Sequence, residues 1–258
     1  MAKPGLGVLL AASLSAGAAQ AADAPFVGQW RLDPARSRLP DQMKIANKGG
    51  GAYAFDFAGE VETIKVDGTD QPGEGGTLLS VKQDAPDSWI VQCKQAGRLL
   101  LRASWKLSKD GRTLTDHFRG IQPDGAPFNV DYFYRRTGAG TGISGDWRSF
   151  KETVISPFSM QVKPFQGDGL SIETSTAHLT KNVKFDGRDY PSEGPDARPG
   201  AASSAQRIDA RKLVITSKSG GKVTATEDFE LSSDLKTLTR TQHIVGQERP
   251  NVLVFKRT

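Results

Sequence analysis

The feature that most constrains this chain is that it repeats itself. Val27-Gly28-Gln29-Trp30-Arg31 returns as Ser144-Gly145-Asp146-Trp147-Arg148, and Lys65-Val66-Asp67-Gly68-Thr69-Asp70 returns as Lys184-Phe185-Asp186-Gly187-Arg188-Asp189. Leu107-Ser108-Lys109-Asp110-Gly111-Arg112-Thr113-Leu114-Thr115 matches Leu231-Ser232-Ser233-Asp234-Leu235-Lys236-Thr237-Leu238-Thr239. Phe133-Tyr134-Arg135-Arg136-Thr137 matches Val254-Phe255-Lys256-Arg257-Thr258. Matches in one order at near-constant spacing mean duplication rather than chance. The expected units are residues 26–137 and 143–258, joined by the flexible Gly138-Ala139-Gly140-Thr141-Gly142.

Each copy reads as β-strands. Leu99, Leu101, Ala103, Trp105 and Leu107 alternate with more polar positions, the period of a strand with one apolar face. Trp89, Val91 and Cys93 alternate likewise, as do Val130, Tyr132 and Tyr134. In copy two, Leu213, Ile215 and Ser217 precede Val223, Ala225, Glu227, Phe229 and Leu231. Asp110-Gly111 predicts a two-residue turn with both central residues at positive φ. Seven or eight strands per copy are expected, with helix confined to Asp33–Arg38. Short turns between consecutive strands suggest a meander, and closing it into a barrel removes the exposed edges. One continuous barrel sharing strands between the copies is the alternative.

The N-terminus carries an export pattern. Lys3 supplies a positive flank, Leu6 to Ala12 is apolar, and Ala19-Gln20-Ala21 is a small-x-small cleavage site. Residues 1–21 are therefore expected to be a signal peptide, too short and Ala-rich to span a membrane. Cys93 is the sole cysteine, so no internal disulfide is possible. A leader without disulfides points to a bacterial periplasmic or secreted protein. The formal net charge is +5 with both signs mixed, and no basic run with interleaved aromatics is present. Nucleic acid is excluded on that ground as an expected partner, and the mature chain has no apolar stretch long enough to be an integral span.

A Gly-x-Trp in the first strand, a meander, and an arginine on the last strand together resemble lipocalin-like (calycin-like) barrels. The resemblance covers both copies. It implies an all-β fold of two tandem antiparallel lipocalin-like small barrels or curled sheets. In that family the last-strand arginine packs over the first-strand tryptophan, which implies the structural pairs Trp30 with Arg136 and Trp147 with Arg257. Asp186 to Pro191, with the Ser-x-Asp-x-x-Thr-Leu-Thr hairpin, also resembles a group of secreted bacterial proteins of unknown function. Copy one departs at Asp67 to Pro72, where glutamine replaces the tyrosine. The implied function is binding or carrying a small apolar or amphipathic ligand. Two alternatives stay open: a lipocalin-like isomerase, hydratase or lyase using an acid/base pair in the barrel, and a structural envelope protein.

The hairpin register nominates site residues. With the turn at Asp110-Gly111, Leu107 faces Leu114, Trp105 faces Asp116 and Ala103 faces Phe118. The same register in copy two sets Leu231 opposite Leu238, Phe229 opposite Arg240 and Glu227 opposite Gln242. Copy two thus places Glu227, Arg240 and Gln242 on a face that copy one fills with Ala103, Asp116 and Phe118. Unpaired charges on such a face are costly. They form either a polar wall in a ligand cavity or a structural ion pair. Trp105, Phe118 and Tyr132, with Trp89 and Tyr134, are an inward aromatic set that packs a core or lines an apolar pocket. His117, His178 and His243 fall on the polar face, and no spacing suits a metal or an organic cofactor, so none is expected.

Overall fold

The computed structural model describes residues 25–57, 61–73, 76–121, 125, 127–155, 158–174, 177–194, 197 and 199–258. The expected leader, residues 1–21, lies outside them, as do the side chains of Ala177 and His178. The described chain is all-β, and Asp33–Arg38 is a turn rather than a helix. Copy one contributes β1 (Gly28–Leu32), β2 (Gln42–Gly49), β3 (Ala52–Asp56), β4 (Glu62–Lys65), β5 (Gln71–Pro72), β6 (Leu78–Ala85), β7 (Ser88–Gln95), β8 (Arg98–Leu107), β9 (Thr113–Ile121) and β10 (Pro127–Arg136). Copy two contributes β11 (Gly145–Val154), β12 (Ser159–Phe165), β13 (Gly169–Thr174), β14 (Ala177–Lys184), β15 (Tyr190–Glu193), β16 (Ala201–Arg207), β17 (Lys212–Ser219), β18 (Lys222–Leu231), β19 (Thr237–Ile244) and β20 (Asn251–Arg257).

These strands form two ten-stranded antiparallel sheets, but the sheets do not coincide with the two copies. The first sheet runs β4-β3-β2-β11-β10-β9-β8-β7-β6-β5, and the second, a closed barrel, runs β1-β12-β13-β14-β15-β16-β17-β18-β19-β20. Each copy's first strand has crossed into the other copy's sheet. β1 seals the barrel between β12 and β20, with Trp30 opposite both Met160 and Arg257. β11 sits between β10 and β2, with Trp147 opposite Arg136 and Met43. The expected pair of tandem antiparallel barrel-like sheets is thus present rather than one shared barrel, and the two units exchange one strand each.

The exchange changes the structural pairs. Trp30 packs with Arg257, not Arg136, and Trp147 packs with Arg136, not Arg257. The guanidinium carbons lie 4.2 and 4.3 Å from the indole centroids, cation–π contacts between two strands of one sheet. Each indole N–H is spent locally, Trp30 on the Phe26 carbonyl and Trp147 on the Ile143 carbonyl, both at 2.9 Å. The glycine of Gly-x-Trp has a physical cause. Gly28 and Gly145 have φ of 147° and 146°. A Cβ there would stand 2.8 Å from Arg257 Nη1 and 2.5 Å from Arg136 Nη1. The arginine occupies the space a side chain would need.

The derived registers hold throughout both hairpins. The turn itself differs. Ser108 N–H donates to Thr113 and Gly111 N–H to Ser108, and of the turn residues only Gly111 has positive φ. The loop is therefore longer than two residues and is held by Ser108 Oγ on the Asp110 carboxylate, 2.6 Å. Alternation is unchanged because the additional residues are added in pairs.

Candidate functional site

In the closed barrel, β18 and β19 bring Glu227, Arg240 and Gln242 onto one inner face, and β14 adds Lys181 from across the barrel. Glu227 is 1% exposed, and three donors converge on its Oε1: Lys181 Nζ at 2.6 Å, Arg240 Nη2 at 3.1 Å and Gln242 Nε2 at 3.3 Å. Lys181 also donates to Ser217 Oγ at 2.9 Å, and Asn251 Nδ2 holds the Gln242 carbonyl at 3.3 Å. Arg240 Nε is buried with no hydrogen-bond acceptor among the described residues. The guanidinium carbon lies 5.8 Å from the Phe229 centroid.

These groups stand at a cavity of about 340 Å³. Its apolar walls include Leu179, Phe229 and Leu253 from the barrel. Its rim is built from outside: Leu39 from the β1–β2 connection, Phe158 from the β11–β12 connection and Phe128 from β10 of the other sheet. The volume lies at the lower end of the range of about 300–1,000 Å³ usual for small-molecule pockets. A further hollow of about 290 Å³ lies against β2 and β11 and is bordered by the Lys44–Asp146 and Arg148–Glu248 ion pairs. Those pairs satisfy one another.

Electrostatics fix the state of the cluster. Burial pushes the Glu227 carboxyl up, but the Arg240 and Lys181 charges and their hydrogen bonds push it further down, to about 2. Burial pulls the Lys181 amine down and Arg240 adds to that, while Glu227 draws it back only in part. The two partners' shifts therefore pull against each other. Two basic side chains, Lys181 and Arg240, thus stand against the single Glu227 carboxylate at 2.6 and 3.1 Å in the lining of the cavity.

The other nominated residues lie elsewhere. Trp105 and Asp116 face each other across β8 and β9 in the first sheet's core. Neither Trp105 Nε1 nor Asp116 Oδ1 has a hydrogen-bond partner by geometry among the described residues. Burial, only partly offset by the Trp105 N–H dipole and reinforced by Asp41, raises the Asp116 carboxyl to about 7. Asp41 is also raised by burial, with the Tyr134 hydroxyl donating to it. Phe118 and Tyr132 form edge contacts in a run of rings, Tyr134, Tyr132, Phe118, Phe128, Phe158 and Phe255, that reaches from the first sheet's core to the cavity rim. So Glu227, Arg240 and Gln242 come together, whereas Asp116, Trp105, Phe118 and Tyr132 do not line that cavity.

Lys181 was missed by the register argument, although its signal was present. Leu179, Lys181 and Val183 alternate, so a strand that buries Val183 turns Lys181 inward. His117 and His243 are exposed beside Asp131 and Asp228, the polar face expected for them. Cys93 is half-buried, with burial raising its thiol. Among the described residues no group of three His, Cys, Asp or Glu is arranged to hold a metal, and no helix is long and apolar enough to cross a membrane. No family model, curated protein or solved structure matches this chain.

Proposed function

We propose that this is an exported protein that binds or carries a small amphipathic molecule in its closed barrel. The observation that carries the reading is the cavity of about 340 Å³ with apolar walls and a charged cluster at one side. Convergent polar groups in an otherwise apolar hollow are the usual signature of a ligand site. Export rests on Lys3, the apolar run Leu6 to Ala12 and Ala19-Gln20-Ala21. The enzyme alternative needs a carboxyl poised near the working pH. Asp116, raised to about 7, stands opposite Trp105 in the other sheet and does not line this cavity, while Glu227, held down near 2, acts as a counter-ion to Arg240 and Lys181.

The test is saturable binding of the neutral apolar fluorophore N-phenyl-1-naphthylamine to the folded protein. Leu179→Trp fills the cavity from its wall. One-to-one binding that disappears in Leu179→Trp, with the far-ultraviolet spectrum and melting transition retained, supports the reading. Binding that survives the substitution, or no binding by the parent, removes it.

A further inference from the structure

Resting on that reading, we infer that the ligand of the closed barrel is a monoanion: a single-chain amphipath whose carboxylate-like head is taken by Lys181 and Arg240. Charge, unused donors and shape support this independently.

Two cations and one anion line the cavity, and all three donors to Glu227 meet on a single oxygen. Glu227 offsets one positive charge and leaves the other. A cationic head would meet that surplus positive charge. A neutral head would leave it in a mostly apolar hollow, where uncompensated charge is unfavourable. One negative charge brings the site to neutrality.

The donors agree. An ammonium has three N–H groups and a guanidinium five. Lys181 uses one on Glu227 and one on Ser217. Arg240 Nε is buried with no acceptor, although its Nη2 is engaged. Lys181 thus keeps one N–H group unused beside a cavity that both cations line, while the unpaired Arg240 Nε–H is closed off from it. A carboxylate supplies two acceptor oxygens, which can meet Lys181 and the exposed part of the Arg240 guanidinium in charge-assisted bonds stronger than those to a neutral acceptor. The side chains of Lys181 and Arg240 remain 16% and 12% exposed, so a molecule in the cavity can reach them.

Shape limits the tail. Phe128, Phe158, Phe229, Leu39, Leu179 and Leu253 offer ring and aliphatic surface. A volume at the small end of the pocket range admits one medium-length chain rather than a polycyclic body. The first sheet has Ala103, Asp116 and Phe118 at the positions of Glu227, Arg240 and Gln242, so anion binding belongs to the closed barrel alone.

The test uses the full chain and three probes of one chain length: decanoate, decanol and decyltrimethylammonium, titrated by calorimetry below their aggregation concentrations. Decanoate is expected to bind at least tenfold tighter than decanol, with decyltrimethylammonium weakest. Arg240→Met should abolish that preference while decanol binding stays within about twofold. Lys181→Met is the second variant, should Arg240→Met fail to fold, and is expected to do the same. Equal affinity for decanoate and decanol, or a preference that persists in the folded variant, overturns the anion assignment and leaves cavity binding standing. Failure of all three probes to bind overturns the assignment and the proposed function together.

Discussion

Glu227→Gln is the most informative single substitution in this molecule. It keeps the shape of the side chain and removes the charge on which Lys181, Arg240 and Gln242 converge. Two cations then face each other with an amide between them. Breaking a fully buried pair typically costs about 3–5 kcal/mol because the orphaned charge stays in a poor solvent. Here Arg240 and Lys181 are slightly exposed and line a cavity that can admit water, which lowers the expectation to about 2–4 kcal/mol. For a chain of this size each kcal/mol moves the midpoint by about 2–4 °C, so the melting temperature should fall by about 5–15 °C. Glu227→Gln with Arg240→Met takes away one of the two facing cations and returns the cavity to the parent's single surplus positive charge, so it should restore at least half of the loss, giving a positive coupling in the double-mutant cycle. The pH dependence is set by the sign of the shift. The folded carboxyl titrates near 2, below its ordinary 4.5, so its stabilisation is complete above about pH 5 and fades as pH falls through 4.5 toward 2. The gap between parent and variant should therefore narrow in acid. A Glu227→Gln variant that melts within about 2 °C of the parent at pH 7 would falsify the claim that this carboxylate holds the cluster together.

Three more outcomes are expected. Removal of residues up to Leu32 takes β1 from between β12 and β20, so hydrogen exchange should rise in the second copy's strands while β6 to β9 keep their protection; loss confined to the first copy's strands would contradict the strand exchange. Gly28→Ala puts a methyl on the Arg257 guanidinium at a φ rarely adopted by L-residues, and should cost about 1–3 kcal/mol by chemical denaturation, where a change under about 0.5 kcal/mol would count against it. Asp116 takes up a proton on folding because its carboxyl rises from 3.8 to about 7, so its contribution is greatest below about pH 4 and is lost as pH rises through 7; Asp116→Asn should gain about 2–3 kcal/mol over the parent between pH 5 and 8, and parallel stability curves would refute the shift.

Much of this was legible in the sequence where alternation alone decides. The pairing of β18 with β19 needed only one anchor, because a one-residue slip would have turned Phe229 and Leu231 to water. That is why Glu227 and Gln242 fall opposite each other, as their spacing from the turn requires. The turn chemistry was read less well. Asp110-Gly111 carries a hairpin signal, yet Ser108 competes for the Asp110 carboxylate and widens the loop. Lys181 escaped the register because it meets Glu227 across the barrel, not across a ladder. Only closure, with β1 as the tenth strand, brings β14 round to face β18.

The strand exchange was beyond sequence reasoning for a different reason. Val27-Gly28-Gln29-Trp30-Arg31 and Ser144-Gly145-Asp146-Trp147-Arg148 present the same glycine, the same indole and the same strand period. Arg136 and Arg257 offer each the same receptor. Local energies therefore barely distinguish staying home from crossing over. The two strands differ in their length and in the partners of their far ends. β11 runs for ten residues against the five of β1, and its far end pairs Val154 with Val130 of β10. Both of those residues pack in the core cluster of the closed barrel, along with Phe128 and Tyr132. The long β10–β11 hairpin thus belongs to the first sheet by hydrogen bonding and to the second unit by packing. The same hairpin delivers Phe128 to the rim of the cavity. A copy folded alone would lack that wall. Duplication accordingly does more here than supply a second barrel: it lets one copy help to enclose the hollow of the other.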